Sequence, residues 1–242
     1  MPAEDQPFPS VWTRPRRQRR EQPALSREQI VAEAIALLDA EGVDALSMRK
    51  LGTRLNAGAT SMYTHVANKD ELIELVVDEV YGEIEVPGTI GPDGWRAAVA
   101  HSAHSMRAAV LRHPWTASVL GAFAGAFLGP QLLRVSERML ALLESAGFGP
   151  EEADCAMDTV FAYVLGTTMS EAAWLTTLAR DGRGEEEWLA GMWPAAEAAV
   201  RHHPRLRARH EARAATARPG PEAAFGRGLD CVLDGLESRR GA

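Results

Sequence analysis

Between Leu46 and Lys69 the chain gathers side chains suited to reading the edges of nucleic-acid bases. A guanidinium such as that of Arg49 can bond both N7 and O6 of a guanine. Methyl-bearing Ala59 and Thr60 can touch the methyl group of a thymine, and Ser61 can make a single hydrogen bond. The segment from Ala59 to Val66 holds no Arg, Asn or Gln, so no bidentate base contact can come from it and Arg49 is the strongest candidate reader. A solvated charge or a phosphate clamp is the competing reading of Arg49, because most contacts to DNA position the protein without specifying sequence.

Two short helices joined by a tight turn would carry these groups. Ser47 can cap the first, its hydroxyl accepting from an unpaired N–H, and Leu51 and Leu55 fall four apart on one face. Asn56-Ala57-Gly58 supplies residues that tolerate a sharp turn, Asn through its short polar side chain and Gly through its missing Cβ. In the second helix Met62 and Val66 would pack on Leu51 and Leu55, leaving Ala59, Thr60, Tyr63 and Thr64 together on the opposite face. A helix with small and hydroxylated residues outward suits a major groove wide enough to admit it.

At these residues the chain resembles the TetR family of bacterial transcriptional regulators, in which a helix-turn-helix is followed by a Tyr-x-His-aliphatic-x-x-Lys signature, here Tyr63, His65, Val66 and Lys69. The match begins in the preceding helix, Ser26 to Glu41, and reaches Asn68 without a gap. The resemblance implies Ala59 to Val66 as recognition helix, and phosphate contacts from Tyr63, His65 and Lys69 with further hydroxyls from Ser47 and Thr64. Tyr63 and His65 can equally pack between helices. Asn56 stands where the family has its usual turn glycine, and Gly58 where it has a Ser or Thr cap, which removes one side-chain phosphate contact. One such domain makes few contacts, so a homodimer on near-palindromic double-stranded operator DNA is implied, with half-sites about 10 bp or more apart.

Charge is divided in the same sense. The net charge is −7, yet residues 14–69 hold ten Lys and Arg against six Asp and Glu, while residues 70–242 hold sixteen against twenty-five. Only the first part favours phosphate. Both lysines, Lys50 and Lys69, lie there. With 242 residues, 46% of them hydrophobic, and no sustained period-2 alternation, the chain can bury a real core and reads as all-α. The expected fold is an N-terminal three-helix helix-turn-helix domain plus a C-terminal helical ligand-binding and dimerisation domain. Cys155 and Cys231 sit in apolar helical patterns and read as buried reduced thiols. No stretch reads as a secretory core or a membrane span, so no membrane partner and a cytoplasmic location are expected.

Residues 1–24, with five prolines and the run Arg14 to Arg20, read as a disordered basic arm that either follows the DNA or is a solvated extension. The helix-turn-helix domain is expected over residues 25–70 and the regulatory and dimerisation domain over 71–242. Leu25-Ser26-x-x-Gln29-Ile30 combines a capping box with a hydrophobic staple, and Gly42 suits a left-handed stop. Asn68 opens a fourth helix bearing Leu72, Ile73, Val76, Val80 and Ile84. Helices are expected over Trp95 to Arg112, Leu132 to Ala146, from Pro150 onward as the longest, Trp188 to His203 and Pro221 to Arg239. A charged loop over Asp181 to Glu187 and a solvated connection over Arg201 to Arg213 separate the later ones.

After residue 94 the chain also resembles the tetracycline-repressor branch of the family, through Trp95, Ser105-Met106-Arg107 to His113, Ser145-Ala146-Gly147-Phe148 and Val164-Leu165-Gly166. The family resemblance implies a four-helix dimer bundle from Glu151–Arg180 and Pro221–Arg239 of each subunit, and burial of those apolar faces inside one subunit is the alternative. The branch resemblance implies a small-molecule effector pocket lined by His101, His104, Met106, Trp115, Phe123, Phe127, Met157, Phe161 and Trp174, although each such residue is more often core. The branch's magnesium-ligating histidine falls at Leu120 and its acidic partner at Ser170, so neither metal-tetracycline binding nor any other cofactor is expected. His101 and His104, three apart, lack a third ligand nearby. The resulting expectation is a repressor released from its operator by an effector. An effector-independent architectural protein is the alternative, and an enzyme is not expected, since no nucleophile, paired carboxylates or metal set converges.

Overall fold

The computed structural model describes residues 25–88, 94–122, 129–215 and 220–240. Among them the chain forms eleven α-helices: α1 Arg27–Glu41, α2 Met48–Arg54, α3 Ala59–Tyr63, α4 Lys69–Gly82, α5 Trp95–Arg112, α6 Thr116–Ala122, α7 Pro130–Ser145, α8 Pro150–Asp181, α9 Glu185–Val200, α10 Pro204–Ala215 and α11 Pro221–Glu237. The basic segment 1–24 and the expected pocket residues Phe123 and Phe127 lie outside the described residues.

Local sequence sets the first boundaries. Ser26 accepts from Gln29 N at 3.2 Å while the Gln29 side chain accepts from Ser26 N at 3.0 Å, so two otherwise orphaned amides are satisfied reciprocally. Gly42 ends α1 with φ of 79° but ψ of 178°, which is extended and not the left-handed helical conformation expected; its N–H still bonds Leu38 O at 2.8 Å. The reason lies in the next residues: Val43–Ala45 form a short 3-10 turn, and the chain must leave α1 in a new direction to enter it.

Ile30, Ala34, Leu37 and Leu38 of α1 are buried with Leu51, Met62 and Val66, and Leu72 and Val76 of α4 close the same core. Helix α4 then continues beyond it, packing on α5 and α7 through Val77, Val80 and Tyr81. It therefore belongs to both packing layers.

At the far end of α4, Asp78 caps another helix. Its Oδ1 accepts from Gln131 N at 2.9 Å and Leu132 N at 3.1 Å, satisfying the amide end of α7, and Gly129 leaves the space for the carboxylate. Arg134 answers in the other direction, donating to Gly82 O at 3.2 Å at the carbonyl end of α4. Trp95, at the start of α5, is buried edge-on to Phe148 with ring centroids 5.1 Å apart and donates to Glu237 of α11 at 3.0 Å.

The last third of the chain departs from expectation in two places. Helix α9 begins at Glu185, within the expected loop, because Glu185, Glu186 and Glu187 occupy its first turn, where carboxylates offset the exposed amides. The segment expected as a solvated connection forms α10: Pro204 starts it, Arg207 pairs with Glu211 one turn on at 3.6 Å, and His210 stacks on Trp193 of α9 at 3.9 Å. Cys155 and Cys231 are exposed and unbridged, correcting the expectation of burial. They lie on the outward faces of α8 and α11, which turn Val160, Val164, Leu229 and Leu233 inward instead.

Gly129→Ala is expected to displace the Asp78 carboxylate from the α7 cap, because the added Cβ would collide with it. A loss of about 1–2 kcal/mol in urea unfolding is expected; unchanged stability would show that this cap contributes nothing.

Candidate functional site

The turn between α2 and α3 depends on two backbone details. Asn56 adopts φ of 49°, the left-handed conformation, as its place in the turn requires. Ala57 N bonds back to Gly52 O at 2.9 Å, and a Cβ on Gly52 would stand 3.2 Å from Ala57 O. Gly52, buried inside α2, thus permits the close fold-back; sequence reasoning passed over it because nothing local distinguishes a close-approach glycine in a helix. Ser47 caps α2 by accepting from Lys50 N at 3.2 Å, whereas Gly58 opens α3 with no side-chain cap.

With Met62 and Val66 buried against Leu51, Tyr63 is driven outward and is 53% exposed. Arg49, Ser61 and Thr64 are exposed beside it, and Ala59 and Thr60 open α3. The Thr64 hydroxyl donates to Ser61 O at 2.6 Å. Arg49 and Tyr63 line one shallow depression of about 630 Å³ between α2 and α3, with Thr53, Asn56 and Gly58. His65 and Lys69 are half-buried at the exit of α3 and the start of α4.

Ion pairing separates the cations of this region. Lys50 pairs with Glu41, and Arg54 with Glu33, so both are committed to holding α2 on α1. Arg49 and Lys69 make no ion pair among the described residues. The Glu28 carboxyl of α1 is held below its usual range chiefly by the Ser26 hydroxyl, with the local backbone amide, Arg27 and His65 adding to it.

The residues expected to line one effector pocket are divided among several places. Met106 borders a small apolar cavity of about 20 Å³ with Val80, Tyr81, Ile84 and Leu165, far below the roughly 300 Å³ that a drug-sized ligand needs. Trp174 borders a different, open cleft between α8, α9 and α11. Met157 and Phe161 pack partly buried against the core. His101 is exposed and 3.0 Å from Glu85, and His104 is 2.8 Å from Glu222 and edge-on to Phe225. Among the described residues no three His, Cys, Asp or Glu converge as a metal site. Ser170 is exposed and donates to Gly166 O at 3.0 Å.

Trp115 joins the head to the body. Buried, it donates to Asp39 of α1 at 2.7 Å, and the same carboxylate oxygen lies 2.8 Å from His113 Nδ1. His113 Nε2 is 3.1 Å from Glu83, just past α4, and Glu83 also pairs with Arg112. One ring thus touches carboxylates beside both α1 and α4.

A second polar cluster crosses the body. Arg107 of α5, only 9% exposed, makes two bonds to Glu171 of α8 at 3.0 and 2.7 Å and pairs with Glu222 of α11. Its guanidinium also stands 5.3 Å from the Phe225 ring. Tyr163 donates to Phe225 O at 2.6 Å, and desolvation, with lesser help from Cys231, pushes its phenol above the usual range, keeping the proton for that bond.

Such a head, with an outward arginine and tyrosine on a helix-turn-helix and a larger helical body joined to it through partly buried polar contacts, defines a DNA-binding regulator. The model of the bacterial regulatory proteins, tetR family, matches residues 30–76, and that of the tetracyclin repressor-like C-terminal domain matches residues 87–240. The chain belongs to the TetR family of transcriptional regulators. It is 41% identical over 165 residues to an HTH-type transcriptional regulator of Saccharopolyspora erythraea, covering 68% of this chain and 69% of that one. It is 32% identical over 231 residues to the transcriptional repressor DrrR1 of Streptomyces coeruleorubidus, covering 94% and 83%. The crystal structure of Streptomyces coelicolor ActR in complex with actinorhodin superposes with a TM-score of 0.76 at 32% identity, covering 90% of this chain and 98% of that chain. No helix among the described residues is long and apolar enough to cross a membrane.

Asp39→Ala would leave the Trp115 indole N–H and one His113 nitrogen buried without partners. A loss of about 1–3 kcal/mol in chemical denaturation is expected, and a smaller loss than for a surface carboxylate such as Asp44 would overturn the assignment.

Proposed function

We propose that this chain is a homodimeric repressor that holds a near-palindromic operator through two copies of the α2–α3 unit and is released by a small-molecule effector bound in the helical body. The observation that carries the reading is the allocation of cations in the head. Lys50 and Arg54 are spent on Glu41 and Glu33, while Arg49 stands unpaired among the described residues beside Tyr63 on the outward face. A pair of groups left for solvent in this way suits a partner that brings its own acceptors. Arg49 is assigned to a base edge, and Tyr63, His65 and Lys69, with the hydroxyls of Ser47 and Thr64, to phosphates. Ala59, Thr60 and Ser61 are assigned to the floor of the groove.

Dimerisation is supported by the outward faces of α8 and α11. Cys155, Thr159, Ala162 and Gly166 form an exposed file along α8, and Cys231, Gly235 and Ser238 one along α11. Small residues at helical spacing let two such helices approach a second pair closely. ActR, solved with actinorhodin and with (S)-DNPA, supports a small-molecule effector for this chain. The effector works only through differential affinity for operator-bound and free conformations. The Asp39–His113–Glu83 joint supports a direct route from the α5–α6 corner to the head.

A gel shift with DNA flanking the chain's own gene tests the reading, and absence of any sequence-specific shift at low salt would sink it. Arg49→Ala is expected to relax sequence preference by about 1–3 kcal/mol at one position, whereas Lys69→Ala weakens specific and scrambled DNA alike. Equal losses on both DNAs for Arg49→Ala would refute that division. Ala162→Glu, placing a charge on the α8 file, is expected to shift the protein to monomer in light scattering; an unchanged dimer mass would move the interface elsewhere.

A further inference from the structure

The open cleft between α8, α9 and α11 has a volume of about 940 Å³, within the range of a site for a drug-sized ligand. Its walls carry four aromatic rings: Tyr163, Trp174, Trp188 and Phe225. Trp174 and Trp188 meet edge to face at 4.5 Å, and Tyr163 lies 5.4 Å from Phe225. Stacking surface is therefore offered from α8, α9 and α11 together.

Charge on the described lining of the cleft has one sign. Among the described residues its lining includes Glu171, Glu185 and Glu186 and no Lys, Arg or His. Glu171 is neutralised by Arg107, which lies beneath the wall. Glu185 and Glu186 form no ion pair among the described residues, so at the mouth only the amide end of α9 offsets their charge. An anion entering here would meet repulsion and, among the described residues, no cation that is not already paired. A flat cation would meet carboxylates at the rim and the negative faces of two indoles inside.

We propose that this cleft binds planar aromatic cations, meaning fused-ring molecules bearing a protonated amine or ring nitrogen. The inference rests on the effector-responsive reading above and names the ligand class and the site. It also differs from the sequence expectation in place, since the cavity beside Met106 holds only about 20 Å³ and the cleft is built by α8, α9 and α11. Occupancy has a path into the fold: Glu171 forms part of the wall and holds Arg107 of α5, whose C-terminal end leads to His113 at the joint with the head.

The test uses the full-length protein without DNA, titrated with proflavine as the planar cation and pyrene-1-sulfonate as the planar anion, followed by quenching of tryptophan fluorescence. Proflavine is expected to bind about tenfold or more tightly than the anion. Trp188→Ala is expected to weaken proflavine about tenfold, and the double variant Glu185→Gln, Glu186→Gln about fivefold, with helical circular dichroism unchanged. Equal or tighter binding of the anion overturns the proposal, as does absence of proflavine binding or an unchanged affinity in the Gln double variant. Operator binding by the dye-free protein is measured separately. A protein that shifts its operator but shows no cation preference sinks the cleft assignment alone, and one that binds the cation but no operator sinks the regulatory reading.

Discussion

The arrangement of head and body turns on a single carboxylate. Asp39 sits near the end of α1, and its Oδ1 receives the Trp115 indole N–H and faces His113, both from the corner between α5 and α6. His113 and Trp115 are buried while the Asp39 carboxylate is 34% exposed, so the joint is only partly shielded from water, but leaving its two ring nitrogens unpaired costs free energy. Glu83, facing the other side of the imidazole, brings the end of α4 to the same point. The head is thereby held at two places, by continuous packing along α4 and by this polar joint. A displacement of the α5–α6 corner has to move α1, break the joint, or both.

Charge follows a consistent division of labour. Acidic residues of α1 consume Lys50 and Arg54, which fixes α2 and leaves Arg49 to face outward. In the body Arg107 is surrounded by Glu171, Glu222 and the Phe225 ring, an arrangement that compensates a buried guanidinium with two carboxylates and an aromatic face. Carboxylates beyond these pairings collect at the cleft mouth and at the start of α9, where the helix end itself favours them. The net charge of −7 therefore averages a head that favours phosphate and a body that does not.

Much of the head was legible in the sequence because its determinants are local. A capping box, a turn through Asn56 and apolar residues four apart each act within one or two helical turns and have their structural counterparts, whereas Gly58 takes an ordinary extended φ of −69°. The failures have local causes as well. Gly42 carries the expected positive φ but not the expected ψ, since the following 3-10 turn redirects the chain. Arg201 to Arg213 looked too polar to pack, yet α10 needs only the Trp193–His210 stack and a well-placed Pro204. Cys155 and Cys231 read as interior from their apolar neighbours, yet the larger Val160 and Val164 of α8 and Leu229 and Leu233 of α11 take the inward face and turn the thiols outward.

By itself the sequence determined the helical class, the helix-turn-helix and its outward residues, because helix periodicity and turn chemistry are properties of neighbouring residues. Tertiary structure alone decided which cations of the head are free, since Glu33 lies far along the chain from Arg54. It decided that Met106 and Trp174 border different cavities, and that Asp39 meets His113 and Trp115 across more than seventy residues. Partnerships of that range arise when helices pack, and no spacing within one helix encodes them.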